Sequence, residues 1–184
     1  MDSNAKKMLW NMAGTAGLLM GLISTANMFI GQVMSTTQMP AFATMAIGLI
    51  LWTAETGGCI YLMLAYMKKF AAACPEADNK ATFRMGMATA FLSALVYSAA
   101  SFANMAFISA DYYAEQFDMI MQQMAPMMDS NTTSMMDNML SIMPQITFIS
   151  NLIYCFLFGT AVSAILSRNI PSRDPFADYK PDQQ

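Results

Sequence analysis

Histidine is absent from this chain of 184 residues, and charged side chains make up only 11% of it. The lack of histidine excludes triads of the Ser-His-Asp type and zinc sites built on imidazole, because histidine supplies the base or the ligand in both. An ordinary globular domain has about 25% charged residues. So little charge cannot cover a water-soluble domain, whereas hydrophobic residues account for 56% of the chain.

Long uncharged stretches separate the few charges. Asp, Glu, Lys and Arg are all missing from residues 8–54, 56–67, 85–110 and 138–167. A helix needs about 20 mostly apolar residues to cross the hydrocarbon core. The stretches therefore predict four spans, at residues 8–33, 41–67, 82–110 and 144–167. Helices are favoured because a lone strand in lipid leaves its backbone unpaired. Span one could alternatively be a cleaved signal sequence, although its apolar run continues to Val33.

Basic residues occur on one side of this predicted arrangement. They precede span one, surround the link between spans two and three, and follow span four: Lys6, Lys7, Lys68, Lys69, Lys80, Arg84, Arg168, Arg173 and Lys180. Lysine and arginine near span ends stay in the cytoplasm. The pattern therefore predicts that both termini are cytoplasmic. It also predicts an all-α, antiparallel four-helix membrane bundle that forms a single domain over residues 1–184.

The link between spans three and four, residues 111–143, is acidic and contains no base. Its apolar residues recur at helical spacing, so they are predicted to lie on one face of a helix: Tyr113, Phe117, Ile120, Met124 and Met127. Residues 129–133 have the composition of a turn, and a second short helix is predicted at residues 134–143. The link is therefore expected to be an extracytoplasmic helical hairpin. The proline-rich tail, residues 170–184, is expected to be disordered.

Glu55 is the one ionisable carboxyl inside a predicted span. A charge at mid-membrane costs about 2.5–3.5 kcal/mol on insertion scales, so the side chain should face the bundle interior and be protonated or paired. The candidate polar partners in other parts of the spans are Asn11, Asn27, Asn104, Asn151, Tyr61 and Tyr97. Two interpretations remain open: a proton or cation site, or a neutral acid bonded to an amide that fixes helix register.

Small residues in span one are typical of close helix packing. Gly14, Gly17 and Gly21 are expected along one side, where they allow two backbones to approach. The contact could be within the chain or between two copies. Gly57 and Gly58, close to Glu55, could unwind span two locally, as in transporter sites.

Methionine is unusually frequent, at 22 residues, and nine of these fall in residues 119–143. Thioethers bind Cu(I), so a copper-collecting segment is one hypothesis. Methionine also fills irregular apolar surface, which is the hypothesis we prefer here. The three cysteines are expected to be free thiols. We predict no cofactor and no metal, and the few bases follow membrane topology rather than a nucleic-acid surface.

Three segments carry a resemblance to a known family: AGTAGLLMGLIS in span one, DYYAEQFDMIMQQM after span three, and SAILSRNIPSRDPF at the end of span four. The chain resembles the bacterial four-span membrane proteins classified as domain of unknown function 4199. The resemblance implies a four-span architecture, and it implies no activity. We expect a multi-pass protein of the bacterial inner membrane.

The expected function is non-enzymatic. The chemistry is sparse and the outer link presents a Met-rich apolar face, which favours a structural or accessory membrane subunit that forms a homodimer or joins a larger complex. The alternative is a small cation- or proton-coupled transporter, or a channel-like protein, that uses Glu55. The environment of Glu55 distinguishes the two hypotheses.

Overall fold

The computed structural model describes residues 3–37, 39–74, 78–124 and 130–170. In the last of these ranges, side chains are described at residue 139 and from residue 141 onward. All regular structure in these ranges is helical. The helices are α1 (Ser3–Thr36), α2 (Ala41–Ala73), α3 (Asn79–Ala103), α4 (Ala110–Met124) and α5 (Ser130–Arg168), and a π-helical turn, Asn104–Ile108, joins α3 to α4.

Four segments are long and apolar enough to cross a membrane: Ser3–Thr36, Ala41–Ala73, Asn79–Ile108 and Ser141–Arg168. The predicted all-α fold with four spans is confirmed. The helices extend beyond the predicted apolar runs, as expected where helix ends enter the headgroup layer. Large apolar side chains point outward, among them Phe42, which is 84% exposed. Exposure on this scale suits contact with lipid and not with water.

Helix α3 lies at the centre, packed against α1 on one side and α5 on the other. A Cβ added at Gly17 would lie 2.8 Å from the Leu92 Cβ, and one added at Gly21 would lie 2.7 Å from the Val96 Cβ. Positions four residues apart on α1 thus face positions four residues apart on α3, so the two helices run parallel. Only glycine permits this backbone approach.

Small residues also bring α5 onto α3. A Cβ at Gly86 would lie 2.1 Å from the Ser163 Oγ, and a Cβ at Gly159 would lie 2.6 Å from the Ala90 Cβ. As the α3 position advances from Gly86 to Ala90, the α5 position retreats, so these helices are antiparallel. The Ser163 hydroxyl donates to the Phe83 carbonyl oxygen at 3.1 Å, which ties the two backbones together.

Two predictions about glycines were wrong. A Cβ at Gly14 would meet nothing within 4 Å, so Gly14 does not share the α1–α3 contact. Gly14 does lie on the same side of α1, since the seven residues to Gly21 turn the helix by about 700°, but the close approach to α3 does not extend to it. Gly57 and Gly58 also face open space, and α2 remains helical through both, so span two is not unwound there.

The tightest core lies near one end of the bundle. Met63, Met67 and Phe70 of α2 are at most 1% exposed and pack with Met85 of α3. Lys6, Lys68, Lys80, Arg84 and Arg168 mark this same end, which we call the basic end because the start of α1, the end of α2, the start of α3 and the end of α5 meet there. The opposite end, where α3 turns into α4, is the acidic end.

The link between spans three and four differs from the predicted hairpin in its second arm. Residues 134–143 are not a separate helix, since α5 runs without a break from Ser130 to Arg168 with Pro144 inside it. A proline removes one backbone donor, and membrane helices tolerate that loss. The predicted turn at residues 129–133 is likewise helical from Ser130 onward, and residue 129 lies outside the described residues.

The predicted disordered tail begins later than expected. Ile170 is only 5% exposed and belongs to the core at the basic end, so residue 170 is not part of a free tail. Residues 171–184 lie outside the described part of the chain.

The α1–α3 contact makes a sharp prediction. Gly17→Val should destabilise the bundle by about 1–3 kcal/mol, because the added Cβ and its two methyl groups meet α3 backbone and side-chain atoms. Gly14→Val is the matched control, since it adds the same β-branched side chain to the same helix where space is open. Thermal unfolding in a mild detergent measures both. Equal losses in the two variants would show that helix propensity, and not the α3 contact, sets the cost.

Candidate functional site

Glu55 of α2 is half-buried and faces the interior of the bundle, as a carboxyl within a span must. The Asn27 side-chain amide of α1 donates a hydrogen bond to the Glu55 Oε2. Among the described residues, the other carboxyl oxygen has no donor. Glu55 is about 20 Å along α2 from both Ala41 and Lys68, at 1.5 Å per residue, so this half-satisfied acid lies near the middle of span two.

A cavity of about 340 Å³ opens beside Glu55, in a gap between α2 and α5. These two helices make few direct contacts, and α3 and α1 form the floor of the gap. Side chains that can donate or accept hydrogen bonds, or act as thiols, come from all four helices: Ser24, Glu55, Thr56, Cys59, Ser93, Tyr97, Asn151 and Cys155. The volume lies in the range of small-molecule sites, about 300–1,000 Å³.

An aromatic edge borders this cavity on α2 and α5. Trp52 is 61% exposed and Tyr154 is 71% exposed, and both line the gap together with Phe158. The Tyr154 and Phe158 rings are stacked with their centroids 6.4 Å apart. The site therefore combines a carboxyl in its wall with aromatic faces at its border.

Three of the predicted partners of Glu55 lie at this site. Asn27 bonds the carboxyl directly, and Tyr97 and Asn151 line the same cavity. The Asn151 amide donates to the Ser101 hydroxyl at 3.1 Å, so it is held in place by α3 and not by Glu55.

The other predicted partners lie elsewhere. Asn11 is exposed and sits 16 residues before Asn27 on α1, about 24 Å too far toward the basic end. Tyr61 is 70% exposed, because six residues from Glu55 carry it to another face of α2. Asn104 belongs to a separate polar cluster at the acidic end. These three predictions were wrong as partners of Glu55.

Two of the three cysteines, which were expected to be free thiols, lie at this cavity. All three cysteines are free, and Cys59 and Cys155 line the cavity wall. Helical spacing was the signal that could have found them: Cys59 follows Glu55 by four residues and Cys155 follows Asn151 by four. Residues four apart share a helix face, so each polar residue marks its own cavity-facing stripe.

The polar cluster at the acidic end surrounds Asn104, which is fully buried in the π-helical turn. Its amide donates to the Gln32 side-chain oxygen at 3.0 Å and to the Tyr113 hydroxyl at 3.2 Å. Its own side-chain oxygen accepts from the Ser109 hydroxyl at 2.9 Å. The cluster ties α1, the π-helical turn and α4 together. Both the nitrogen and the oxygen of the Asn104 side-chain amide have hydrogen-bond partners.

The predicted outer docking face lies on α4, and its side chains become more exposed toward the end of that helix. Tyr113 and Phe117 are half-buried, whereas Ile120 and Met124 are 50% and 42% exposed. Met127 lies outside the described residues. The face is therefore anchored to the bundle at Tyr113 and becomes free toward the end of α4.

Within the described ranges, no three Asp, Glu or Cys side chains are grouped so that they could hold an ion. The Met-rich segment that suggested copper lies partly in residues 125–138, whose side chains are outside the described part of the chain.

The fold and the family comparison together indicate the class of protein to which this chain belongs. Four apolar helices long enough to cross a bilayer make it a multi-pass integral membrane protein. The chain belongs to the family described as Protein of unknown function (DUF4199), whose model matches residues 15–168. No curated protein and no solved structure matches the chain.

The Asn104 cluster yields a prediction about α4. Burial raises the pKa of the Tyr113 phenol, and the Asn104 hydrogen bond partly offsets that rise. A phenol pKa raised in the folded state stabilises the fold below its unfolded value, about 10, and this contribution is lost as pH rises above it. Tyr113→Phe should therefore lower stability by about 1 kcal/mol at neutral pH and remove part of the alkaline loss.

Thermal unfolding between neutral and strongly alkaline pH measures this effect. Tyr112→Phe is the matched control, because the Tyr112 hydroxyl lies 2.7 Å from the Ser35 Oγ at an exposed position. A Tyr113 variant with the same stability and the same alkaline profile as the parent would contradict the assigned anchor.

Proposed function

We propose that this protein is a small membrane transporter that takes a cationic solute into the cavity between α2 and α5. Glu55 accepts the positive charge, either the cation itself or a proton exchanged for it. The observation that carries this proposal is the half-satisfied carboxyl: Asn27 bonds one oxygen, and Glu55 lines a cavity large enough for a small molecule.

The composition of the cavity favours an organic cation. A carboxylate attracts a positive group strongly when water is scarce, and its interaction with a charge 4 Å away is about 4 kcal/mol at an effective dielectric constant of 20. Trp52, Tyr154 and Phe158 offer aromatic faces for the rest of the solute. Aromatic faces also attract cations by about 0.5–2 kcal/mol. An amine with an apolar body matches both halves of the site.

We assign the cavity no enzymatic step. Glu55 is the one carboxyl among the described residues that line it, and acid–base catalysis by carboxylates usually pairs two groups with different roles. The two thiols, Cys59 and Cys155, have no histidine to activate them anywhere in the chain.

The proposed orientation follows from charge. We place the basic end in the cytoplasm and the acidic end outside, because lysine and arginine near span ends are retained on the cytoplasmic side. The bacterial inner membrane is the location that fits this reading. A solute from outside would then reach Glu55 from the acidic end or sideways through the gap between α2 and α5.

Flux into proteoliposomes tests the proposal. Purified protein in vesicles with an imposed proton gradient should accumulate ethidium, an aromatic cation, and Glu55→Gln should reduce the rate by at least about tenfold, since the lost charge interaction exceeds 1.4 kcal/mol. Glu115→Gln is the matched control: it makes the same chemical change at an exposed acid on α4, outside the cavity. Both variants should fold, because glutamine keeps the size and an oxygen acceptor for the Asn27 amide.

Three outcomes are decisive in that assay. Loss of flux in Glu55→Gln alone supports the proposal. Equal loss in both variants would show that surface charge, and not the cavity, attracts the cation. Vesicles with the parent protein that behave like empty vesicles would overturn transport of this class of solute.

A second candidate function is an accessory subunit of a membrane complex or a homodimer. The observation in its favour is the free part of α4, where Met119, Ile120 and Met124 are 42–50% exposed beyond the end of span three. Apolar side chains outside the hydrocarbon layer are typical of protein contacts. Purification from native membranes in mild detergent, followed by mass measurement, should then give a fixed-ratio complex. Ile120→Asp should release the partner, whereas a lone monomer in the parent would argue against this role.

A further inference from the structure

A second groove lies at the basic end, on another face of α3 from the gap beside Glu55, and the proposed transport does not use it. It has a volume of about 450 Å³ and is bordered by α1, α3 and Phe156 of α5. Lys6 and Arg84 are the charged residues in its wall, and the rest of the lining is apolar, including Trp10 and Phe91. Among the described residues, neither cation has an acidic partner within ion-pair distance.

Charge and apolar surface are ordered along this groove. Lys6 lies four residues before Trp10 on α1, and Arg84 lies seven residues before Phe91 on α3, which is about 6 Å and about 10 Å along the two helices. Because α1 and α3 run parallel, both cations lie at the mouth of the groove. Both aromatic rings lie deeper, toward the hydrocarbon layer.

The aromatic floor is shaped by a specific contact. The Phe91 and Phe156 rings pack edge to face with their centroids 5.8 Å apart. Phe91 is nevertheless 43% exposed and Trp10 is 60% exposed, so the groove has an open apolar side facing lipid. An occupant must therefore carry an anionic group at the mouth and an apolar body below it.

We propose that this groove binds one anionic phospholipid. Its phosphate group lies between Lys6 and Arg84, and one acyl chain runs along Trp10 and over the Phe91–Phe156 pair. Charge complementarity selects an anionic headgroup over a zwitterionic one, because the groove wall supplies two positive charges and, among the described residues, no acid. The apolar depth selects a lipid over free phosphate, which would leave the aromatic floor uncovered.

The tryptophan content of the chain allows a direct test. Trp10 and Trp52 are the two tryptophans present, so Trp52→Phe leaves Trp10 as the single tryptophan, which is excited selectively over tyrosine. The full-length variant is placed in vesicles of phosphatidylcholine and phosphatidylglycerol at a constant ratio, with brominated acyl chains on one lipid or on an equal amount of the other. Bromine quenches a nearby indole, so the difference in quenching reports which lipid lies against Trp10.

Two double variants in this background are matched for charge. Lys6→Gln with Arg84→Gln removes both cations of the groove. Lys68→Gln with Lys69→Gln removes two exposed charges from α2 at the same end, outside the groove. We expect brominated phosphatidylglycerol to quench Trp10 more strongly than brominated phosphatidylcholine in the background. The groove variant should lose roughly 30-fold in lipid preference, and the α2 variant should keep it.

Each remaining outcome overturns the proposal. Equal quenching by the two lipids would show no preference at the groove. Equal loss in both double variants would assign the preference to the general surface potential. Displacement of the lipid by glycerol phosphate as effectively as by excess phosphatidylglycerol would make free phosphate the ligand. Lys6→Arg with Arg84→Lys guards against misfolding as an explanation, since this charge-preserving pair should retain the preference while the glutamine pair loses it.

Discussion

Placing an ionised side chain in hydrocarbon costs several kcal/mol, and this constraint accounts for the distribution of charge over the whole structure. The described lysines and arginines are confined to one end of the bundle, and the acids of α4 lie beyond the other end. Glu55 is the exception, and it has the features that the constraint demands. It faces inward, and an amide from a neighbouring helix bonds one of its oxygens. The other carboxyl oxygen has no donor among the described residues, and this is why Glu55 is a candidate site and not only a structural contact.

The cavity follows from how the four spans pack. Glycines let α1 and α5 approach α3 so closely that a single added carbon would collide with a neighbour at Gly17, Gly21, Gly86 or Gly159. Helix α2 has no such contact, since space is open at Gly48, Gly57 and Gly58. It packs mainly on α1 and leaves α5 at a distance. Three helices therefore form a tight layer, and the fourth covers it incompletely. The opening beside Glu55 is the space left between them.

Much of the fold could be predicted because hydrophobicity and charge act over long stretches of sequence. The four spans needed only the charge-free runs, and the spacing of Gly17 and Gly21 indicated a close backbone approach without naming α3 as the partner. The boundaries near the acidic end could not be read in the same way. Pro144 suggested a helix start, yet α5 continues through it, and Asn104 suggested a partner for Glu55, yet it organises a π-helical turn. Hydrogen bonds to residues distant in sequence decide such cases.

The candidate site, like the fold, could be predicted from the sequence only in part. Glu55 was visible as a lone acid in an apolar run, and Asn27 was among its predicted partners. Cys59 and Cys155 were not recognised, because a thiol in a span has the same appearance whether it faces a core, lipid or a cavity. What places them at the cavity is the gap between α2 and α5, which depends on the packing of all four spans. Their spacing of four residues from Glu55 and Asn151 marks the helix faces on which the thiols lie, but not the gap that those faces border.

The uneven packing of α2 has a mechanical consequence. Met63, Met67 and Phe70 hold its last turns in the core at the basic end, whereas Phe42, Met45 and Ile50 on its first turns are 66–84% exposed. A stiff rod clamped at one end behaves as a lever whose free arm sweeps farther than its base. A tilt of α2 about this core would therefore displace its first turns more than its last turns. The lipid that surrounds the exposed first turns of α2 would then resist this tilt.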